Sequence, residues 1–249
     1  MKNNNSVAQN FNKYFDIRLA DIEALKATVY KIRYDVYCAE LGWEQNCPVD
    51  EEKDIYDEHS VHCLLEHRRT QKFAGCVRLV TASKTNQLPF EDNCKAAIDE
   101  TIIDPSLLNR SKIGEISRLA VPADYRKRKN DEIDSFSSDD EEQSRNAKHR
   151  QEERRHFPNI AVGLYLSSLA YADLLGIEFV FVMMEPRLSR HLRRYGIVFE
   201  KGGEQIDYHG LRGLFYLEME NLTKYFNPEI LEFYQMVHAR MQQQIKEPK

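Results

Sequence analysis

Apolar positions recur along most of the chain with either a helical or a two-residue period. Between Asp21 and Gly42 they recur every three or four residues, which predicts a helix with Asp21 as its N-cap. Residues 1–10 are polar and rich in asparagine, so we expect no regular element there. The apolar face of the predicted helix comprises Leu25, Val29, Ile32 and Val36.

Short apolar runs bounded by turn-forming residues predict the strands, and longer periodic runs predict further helices. The first half of the chain predicts strands at 60–67, 73–82 and 114–122, with an irregular stretch at 88–108. The second half predicts a helix at 158–175, a strand at 178–184, a short helix at 186–195, strands at 196–200 and 211–220, and a final helix at 227–246. Turns are predicted at Gly202-Gly203 and His209-Gly210. The predicted apolar face of the final helix comprises Leu231, Tyr234, Val237, His238, Met241 and Ile245.

The order of these elements predicts an α/β (α+β) fold. Short or irregular links favour antiparallel pairing of the first three strands, whereas the helix at 158–175 is a crossover that lets the next strand lie parallel. We therefore expect a three-layer αβα sandwich with a mixed, mostly antiparallel central sheet. No repeat is visible, and the whole chain, 1–249, is expected to form a single domain.

One segment, 124–156, departs from this pattern because it is highly charged and has few apolar residues. Such a segment buries too little apolar surface to offset the entropy lost on ordering. We therefore predict a flexible insertion within the domain. Its basic run, 126–129, precedes an acidic run at 139–142.

Composition narrows the class of protein. The hydrophobic content of 42% and charged content of 30% are typical of a soluble globular chain, and the net charge of −5 argues against a general nucleic-acid binder. The longest apolar stretch, 160–184, is interrupted by Asp173, Gly176 and Glu178, so we expect no membrane span. Five scattered cysteines without a CxxC pair, and no apolar leader, favour a reduced cytoplasm.

Two charges interrupt the predicted strand at 114–122, a carboxylate at Glu115 and a guanidinium at Arg118. Odd and even positions of a regular strand point to opposite faces, so both side chains reach one cleft only if the strand bends or bulges. The alternative is a surface strand with one charged residue on each side. Neither interpretation is excluded by this stretch alone.

Four further charged residues precede this pair in the sequence. Arg33 lies in the first predicted helix, Arg78 lies inside an apolar strand, and Asp54 and Asp57 lie in the acidic loop 48–58. A charge inside a strand is costly unless it is paired. These residues can form a closed ion network that fastens the helix and loop to the sheet, or they can leave donors and acceptors for a substrate.

Several other chemistries lack their motifs. The chain has no Gly-x-Ser-x-Gly, which argues against a hydrolase nucleophile elbow. It has no His-Glu-x-x-His and no Cys/His cluster with zinc spacing, so we predict no metal site.

Seven residues occur in the same order, and at nearly the same spacing, as in a known family of enzymes. The chain resembles acyl-homoserine-lactone synthases, N-acyl amino acid synthases and exosortase-associated acyltransferases, all members of the GNAT acyltransferase superfamily. The resemblance runs from about Tyr30 to Val121, with a looser match of strand order through Glu220. The residues that carry it are Arg33, Trp43, Asp54, Asp57, Arg78, Glu115 and Arg118.

The resemblance implies a GNAT-like fold and a function. The implied reaction moves a fatty acyl group from acyl carrier protein to the amine of a small acceptor, either an amino acid or S-adenosylmethionine. By this resemblance Glu115 falls on the general base of the family and Arg118 is the second expected catalytic residue. The expected substrate-binding residues are Arg33, Trp43, Asp54, Asp57 and Arg78. No tightly bound cofactor is implied, because the acyl-pantetheine thioester of carrier protein or coenzyme A is a co-substrate.

The chain departs from ordinary GNAT acetyltransferases at residues 122–126, which contain no glycine to cradle a coenzyme A pyrophosphate. This favours a carrier-protein donor. Carrier proteins are acidic, so a docking patch has to be basic, and the candidates are residues 126–129 and a helical stripe. That stripe comprises Arg187, Arg190 and Arg194.

The insertion at 124–156 separates the chain from the compact lactone synthases, which favours an amino acid or another small amine as acceptor, as in the exosortase-associated relatives. Two alternatives remain open. One is a non-catalytic ligand-binding module on the same scaffold, since a fold alone does not confer activity. The other is a coenzyme-A-dependent N-acetyltransferase.

Overall fold

The structure, a computed structural model, describes residues 6–126 and 159–246. The strands are β1 (Phe15–Leu19), β2 (Ser60–His67), β3 (Lys72–Thr81), β4 (Ile113–Ala120), β5 (Phe179–Met184), β6 (Glu200–Asp207) and β7 (Leu211–Glu218). The α-helices are α1 (Val7–Tyr14), α2 (Glu23–Arg33), α3 (Pro89–Asn93), α4 (Asn159–Leu174), α5 (Pro186–Arg193) and α6 (Pro228–Lys246).

The described strands form one seven-stranded sheet in the order β1-β2-β3-β4-β5-β7-β6. Neighbouring strands are antiparallel except for β4 and β5, which pair in parallel. A parallel pair requires a crossover, and α4 lies between these two strands in the chain. The predicted mixed, mostly antiparallel sheet is confirmed.

Helices cover both faces of the sheet, as predicted for a three-layer αβα sandwich. On one face α4 packs against β2, β3 and β4, and α6 packs against α4 and β1. On the other face α2 covers β2 to β4, and the segment between β3 and β4 contributes Phe90 to a cluster with Phe181 and Leu214. The alternation of side chains along each strand sends Leu65 to one cluster and Leu64 to the other.

The prediction of no regular element in the first ten residues was wrong for those that the structure describes. Ser6 caps α1 in a capping box with Gln9, and β1 pairs with β2 along its whole length. Phe11 and Phe15 lie among asparagines and other polar residues, so the sequence shows no clear apolar period there. Both side chains are nevertheless buried in the main core. Burial of these two rings offsets the weak helical propensity around them.

The next helix also differs from its prediction in its ends. Its N-cap is Ile22, not Asp21, and no side chain caps it. The α-helix ends at Arg33 and continues as a π-helix, Tyr34–Glu40, in which the Leu41 N–H donates to the Val36 carbonyl. π-helical turns are frequent at functional sites.

The region around β6 contradicts the prediction, because the strand begins at Glu200, where the predicted strand ended. Gly202 and Gly203 do not form a turn but lie within β6, at an irregularity in its pairing with β7. A Cβ at Gly203 would lie 1.8 Å from the Ala97 carbonyl oxygen, and the Asp99 N–H donates to the Gly202 carbonyl at 3.0 Å. These glycines therefore permit close backbone approach. The predicted turn at His209-Gly210 is confirmed, with φ of 51° and 96°.

The C-terminal helix is confirmed, with the Asn227 Oδ1 accepting a hydrogen bond from the Ile230 N–H. Its predicted apolar face is partly wrong, since Leu231 and Ile245 are exposed while Ile230 and Phe233 pack into the core. Of the predicted insertion, residues 124–126 end a 3₁₀ turn against the core, and residues 127–156 lie outside the described residues.

The parallel contact between β4 and β5 is short. Only residues 113–115 pair with residues 179–181, and beyond them the two strands separate. The separation opens the middle of the sheet at the end of β4 that carries Arg118. No helix among the described residues is long and apolar enough to cross a bilayer.

Candidate active site

A bulge in β4 decides where its charged side chains point. Ser117 pairs with Arg78 and Ala120 pairs with Cys76, so three steps along β4 match two along β3. Arg118 takes up the extra residue with a φ of 52°, a left-handed conformation that costs a non-glycine residue about 1–3 kcal/mol. The strand bulges as the two-charge pattern requires, and Glu115 and Arg118 line the same void.

Glu115 is buried, with 2% of its surface exposed. Its Oε2 accepts a hydrogen bond of 2.8 Å from the Phe90 N–H at the start of α3. Burial raises the pKa of Glu115 to about 8, against the opposing effects of that N–H and of the Arg78 and Arg118 charges. A carboxyl group with a pKa in this range can gain or lose a proton near neutral pH.

Arg33 and Arg78 are buried and bound to carboxylates. Arg33 donates from both Nη atoms to Asp57, at 2.7 and 3.1 Å, and from Nε to Glu52. Arg78 donates from Nη1 to Asp57 at 2.9 Å and from Nε to the Ser117 hydroxyl at 3.0 Å. Burial alone would raise the pKa of Asp57, but the hydrogen bonds and charge of Arg33, with the charge of Arg78, hold it well below its usual range.

Arg118 and Asp54 complete the network. Arg118 donates from Nε to Glu52 at 3.1 Å and from Nη2 to Glu44 at 3.2 Å, and its Nη2 lies 3.3 Å from Asp54. The pair Asp54 and Asp57 also forms a capping box on the 3₁₀ turn Ile55–His59. The loop 48–58 is thus fastened to α2 and the sheet, as the closed-network alternative describes.

Aromatic rings form one wall beside Arg118. Trp43 stacks on Tyr37 with ring centroids 5.8 Å apart and on His209 with centroids 5.5 Å apart. The Tyr37 hydroxyl donates to the Leu119 carbonyl at 2.7 Å, which connects this wall to the bulge. The guanidinium of Arg212, on β7, lies 5.1 Å from the Trp43 ring centroid.

Two cavities meet at this wall. The larger, about 490 Å³, lies where β4 and β5 separate. Its apolar lining includes Ile116, Leu119, Val182, Met184, Ile160 and Leu188. The smaller, about 60 Å³, is lined by Glu115 and by Phe90. Both cavities share Trp43, Arg118 and Arg212, so an occupant of one approaches an occupant of the other at these residues.

The predicted arginine stripe lies on α5, next to the larger cavity. Leu188 and His191 of this helix line the cavity, while Arg187 and Arg190 are exposed. Arg194, also exposed, lies just beyond the helix end. Within the described chain none of these three side chains forms an ion pair or hydrogen bond, so their charge faces solvent.

Sequence reasoning brought together Arg33, Trp43, Asp54, Asp57, Arg78, Glu115 and Arg118, and the structure places all seven around one site. The sequence did not single out Glu52, which lies in a run of acidic residues, or Arg212, which belongs to no recognised motif. The two-residue alternation of the last strand was the available signal for Arg212, since it places alternate side chains on the site face. Among the described residues no group of three or more His, Cys, Asp or Glu side chains is arranged to hold a metal ion.

Known proteins share this architecture. The solved structure of TofI in a ternary complex with an inhibitor and MTA matches with a TM-score of 0.57 and 15% identity, over 87% of this chain and 99% of that one. Residues 32–133 match the acetyltransferase (GNAT) domain family. The chain has a GNAT fold. The resemblance predicted from the seven residues is confirmed at the level of fold and domain.

Two further solved structures share the fold. The structure of BjaI, described as a CoA-dependent acyl-homoserine lactone synthase with SAM and isopentyl-CoA, has a TM-score of 0.57 and 17% identity over 92% of this chain and 89% of that one. FeeM, an N-acyl amino acid synthase from uncultured soil microbes, has a TM-score of 0.55 and 12% identity over 85% of this chain and 94% of that one.

A curated relative matches part of the sequence. An acyl-homoserine-lactone synthase of Acinetobacter nosocomialis is 34% identical over 62 residues, which are 25% of this chain. The match spans about a third (34%) of the length of that relative.

Proposed function

We propose that this GNAT protein is an N-acyltransferase that moves a fatty acyl group from a pantetheine thioester to the amine of a small acceptor. The observation that carries the proposal is the position of Glu115, a buried carboxylate with a raised pKa in a void that adjoins a long apolar cavity. The named relatives support it, since they are described as acyl-homoserine-lactone and N-acyl amino acid synthases.

The larger cavity is the proposed donor site. Its apolar lining, between strands that separate, suits a pantetheine arm and an acyl chain, both of which present mostly methylene groups. The bulge at Arg118 interrupts the β3–β4 ladder beside this cavity, and we assign a backbone N–H of the bulge to the developing oxyanion.

The chemical step requires no protein nucleophile. The amine nitrogen attacks the thioester carbonyl, a C–N bond forms, and the C–S bond breaks to release the pantetheine sulfur. Glu115 takes a proton from the nitrogen and returns it to the sulfur, so the products are an amide and a free thiol. Arg118 and Trp43 line both cavities, and we assign them to aligning the two substrates.

The remaining predicted site residues do not contact the reacting atoms in this proposal. Arg33, Arg78, Asp54 and Asp57 hold the loop 48–58 and Arg118 in place through buried ion pairs. We therefore assign them a positioning role. Breaking such pairs leaves an uncompensated buried charge, so their loss is expected to affect folding before chemistry.

Acyl carrier protein is the preferred donor and coenzyme A the alternative. The preference rests on the exposed Arg187, Arg190 and Arg194, whose positive charge suits an acidic partner. Arg187 and Arg190 are neighbours in α5 of Leu188 and His191, which line the larger cavity. The acceptor is either an amino acid or S-adenosylmethionine.

The function is tested by mass spectrometry of lipids from cells that express the wild-type chain or Glu115→Gln. We expect an N-acylated amine in wild-type extracts and its loss, by about 100-fold or more, in the variant. This experiment reports acyl length and acceptor together. Equal amounts of the same acylated amine in both extracts would remove Glu115 from the chemistry, and no new amide in either would reject the function.

A further inference from the structure

Arg212 is distinguished from the other arginines of the site by its lack of an anionic partner. Arg33, Arg78 and Arg118 are each bound to at least two carboxylates. Within residues 6–126 and 159–246 the Arg212 side chain makes no hydrogen bond or ion pair, and its buried Nε has no partner. The buried Nη2 of Arg78 also has no partner, but that guanidinium is bound by Asp54 and Asp57. An unsatisfied buried donor of a charged group is costly, which suggests that a ligand completes it.

The position of Arg212 indicates where that ligand lies. The side chain is held against the Trp43 ring and lines both cavities, including the small void that Glu115 lines. Stacking on an aromatic ring fixes the plane of a guanidinium and leaves its edge free for hydrogen bonds. An anion bound there would lie in the same void as the proposed general base.

We propose that Arg212 binds the carboxylate of the acceptor, and that the acceptor is a compact α-amino acid. This inference rests on the proposed function, in which the amine of the acceptor meets Glu115. An α-amino acid carries its amine and carboxylate on one carbon atom, so a single small molecule spans Glu115 and Arg212. A guanidinium recognises a carboxylate with two parallel hydrogen bonds, and an amide or a plain amine lacks the second charge.

The size of the void supports the same class of acceptor. About 60 Å³ is available beside Glu115, enough for a small amino acid but far below the several hundred Å³ typical of sites for larger ligands such as a nucleoside. Beside the charged groups of Glu115, Arg118 and Arg212, the lining includes Phe90 and Met183, against which a short apolar side chain can pack.

Trp43 gives a direct measure of binding because it is the one tryptophan of the chain and contacts Arg212. We would titrate glycine, L-alanine, L-alaninamide, ethylamine and S-adenosylmethionine, with and without a non-reactive acyl-pantetheine thioether, and follow tryptophan fluorescence. In the wild type we expect the best amino acid to bind about 10- to 100-fold more tightly than its amide. Arg212→Met should abolish that preference, and Arg212→Lys should retain part of it.

Arg18→Met is the matched control, because Arg18 lies on β1, at the far edge of the sheet. It should keep the wild-type preference. If the amide binds as tightly as the acid, or if Arg212→Met keeps the preference, the inference is wrong. Tight binding of S-adenosylmethionine would overturn the compact acceptor. Thiol release from a reactive acyl-pantetheine thioester, measured in separate samples with the same amines, tests acyl transfer: absence of release with every amine rejects the function without affecting the binding result.

Discussion

Glu115 is the residue on which the proposed chemistry depends, and its environment is arranged against ionisation. The carboxylate is buried, accepts one backbone hydrogen bond, and makes no ion pair with the described residues, because Arg78 and Arg118 are bound to other carboxylates. Ionisation therefore weakens the folded state. An incoming ammonium would supply the missing positive charge, which is a reason for the site to keep an uncompensated acid.

Replacing Glu115 with glutamine should stabilise the protein at alkaline pH. The pKa of Glu115 is about 8 in the folded state, against 4.5 for an ordinary glutamate. The wild type therefore loses stability as the pH rises from 4.5 to about 8, whereas the variant does not. We expect a Tm higher than wild type by about 5–10 °C at pH 9 and nearly equal at pH 4, measured by calorimetry. Glutamine can still accept the hydrogen bond from the Phe90 N–H.

Glu58→Gln, at an exposed position, is the control for the charge change and should alter Tm little at either pH. A Glu115→Gln protein that is less stable than wild type at pH 9 would show that the ionised carboxylate is a structural anion.

At the scale of elements, the site depends on two irregularities, the bulge in β4 and the separation of β5 from it. Glu115 and Arg118 would point to opposite faces of a regular strand, so the sequence indicated that a bulge is needed for both to reach one cleft. It could not show whether the bulge forms. A bulge is a backbone event stabilised by contacts distant in sequence, such as those of Arg118 with Glu52 and Glu44. The sequence was ambiguous at Gly203 as well. A glycine permits either a turn or the close approach of another backbone segment, and in the structure it permits the approach of Ala97.

Helix α5 carries the prediction for the donor. The double variant Arg187→Glu/Arg190→Glu replaces two exposed positive charges beside the larger cavity with negative ones. We expect kcat/KM for an acyl carrier protein donor to fall by about 10-fold or more, because repulsion slows encounter with an acidic partner. Turnover of a free acyl-pantetheine should change by less than about twofold, because that donor has no acidic surface to repel.

Lys84→Glu/Lys95→Glu is the matched control, with the same change in net charge at exposed positions on the link between β3 and β4. Equal losses with both donors, or equal losses in the control, would place carrier docking elsewhere. Each reaction would be run at low and high salt, since a docking effect should shrink as salt screens the charges.

At the scale of the whole molecule, the periods of hydrophobic residues predicted the mixed, mostly antiparallel sheet, but not its first strand or the bounds of its sixth. The crossover helix and the antiparallel first strands followed from element order, and the sheet confirms both. The first helix and strand were missed because they depend on packing of Phe11 and Phe15 against α6, which lies more than 200 residues away in sequence. The hydrogen bond of Glu115 with the Phe90 N–H and the contact of Arg212 with Trp43 could not be predicted for the same reason, since each joins elements distant in sequence.

The pH dependence of amine-driven thiol release from an acyl-pantetheine donor tests the central claim most directly. For the wild type we predict that kcat/KM, calculated from the concentration of unprotonated amine at each pH, rises with pH and levels off above about 8, as Glu115 loses its proton and becomes a base. Glu115→Gln should be slower by about 100-fold or more and should lack that rise, with its fold intact by circular dichroism. A Glu115→Gln enzyme that retains wild-type rates and the same pH profile would contradict the account.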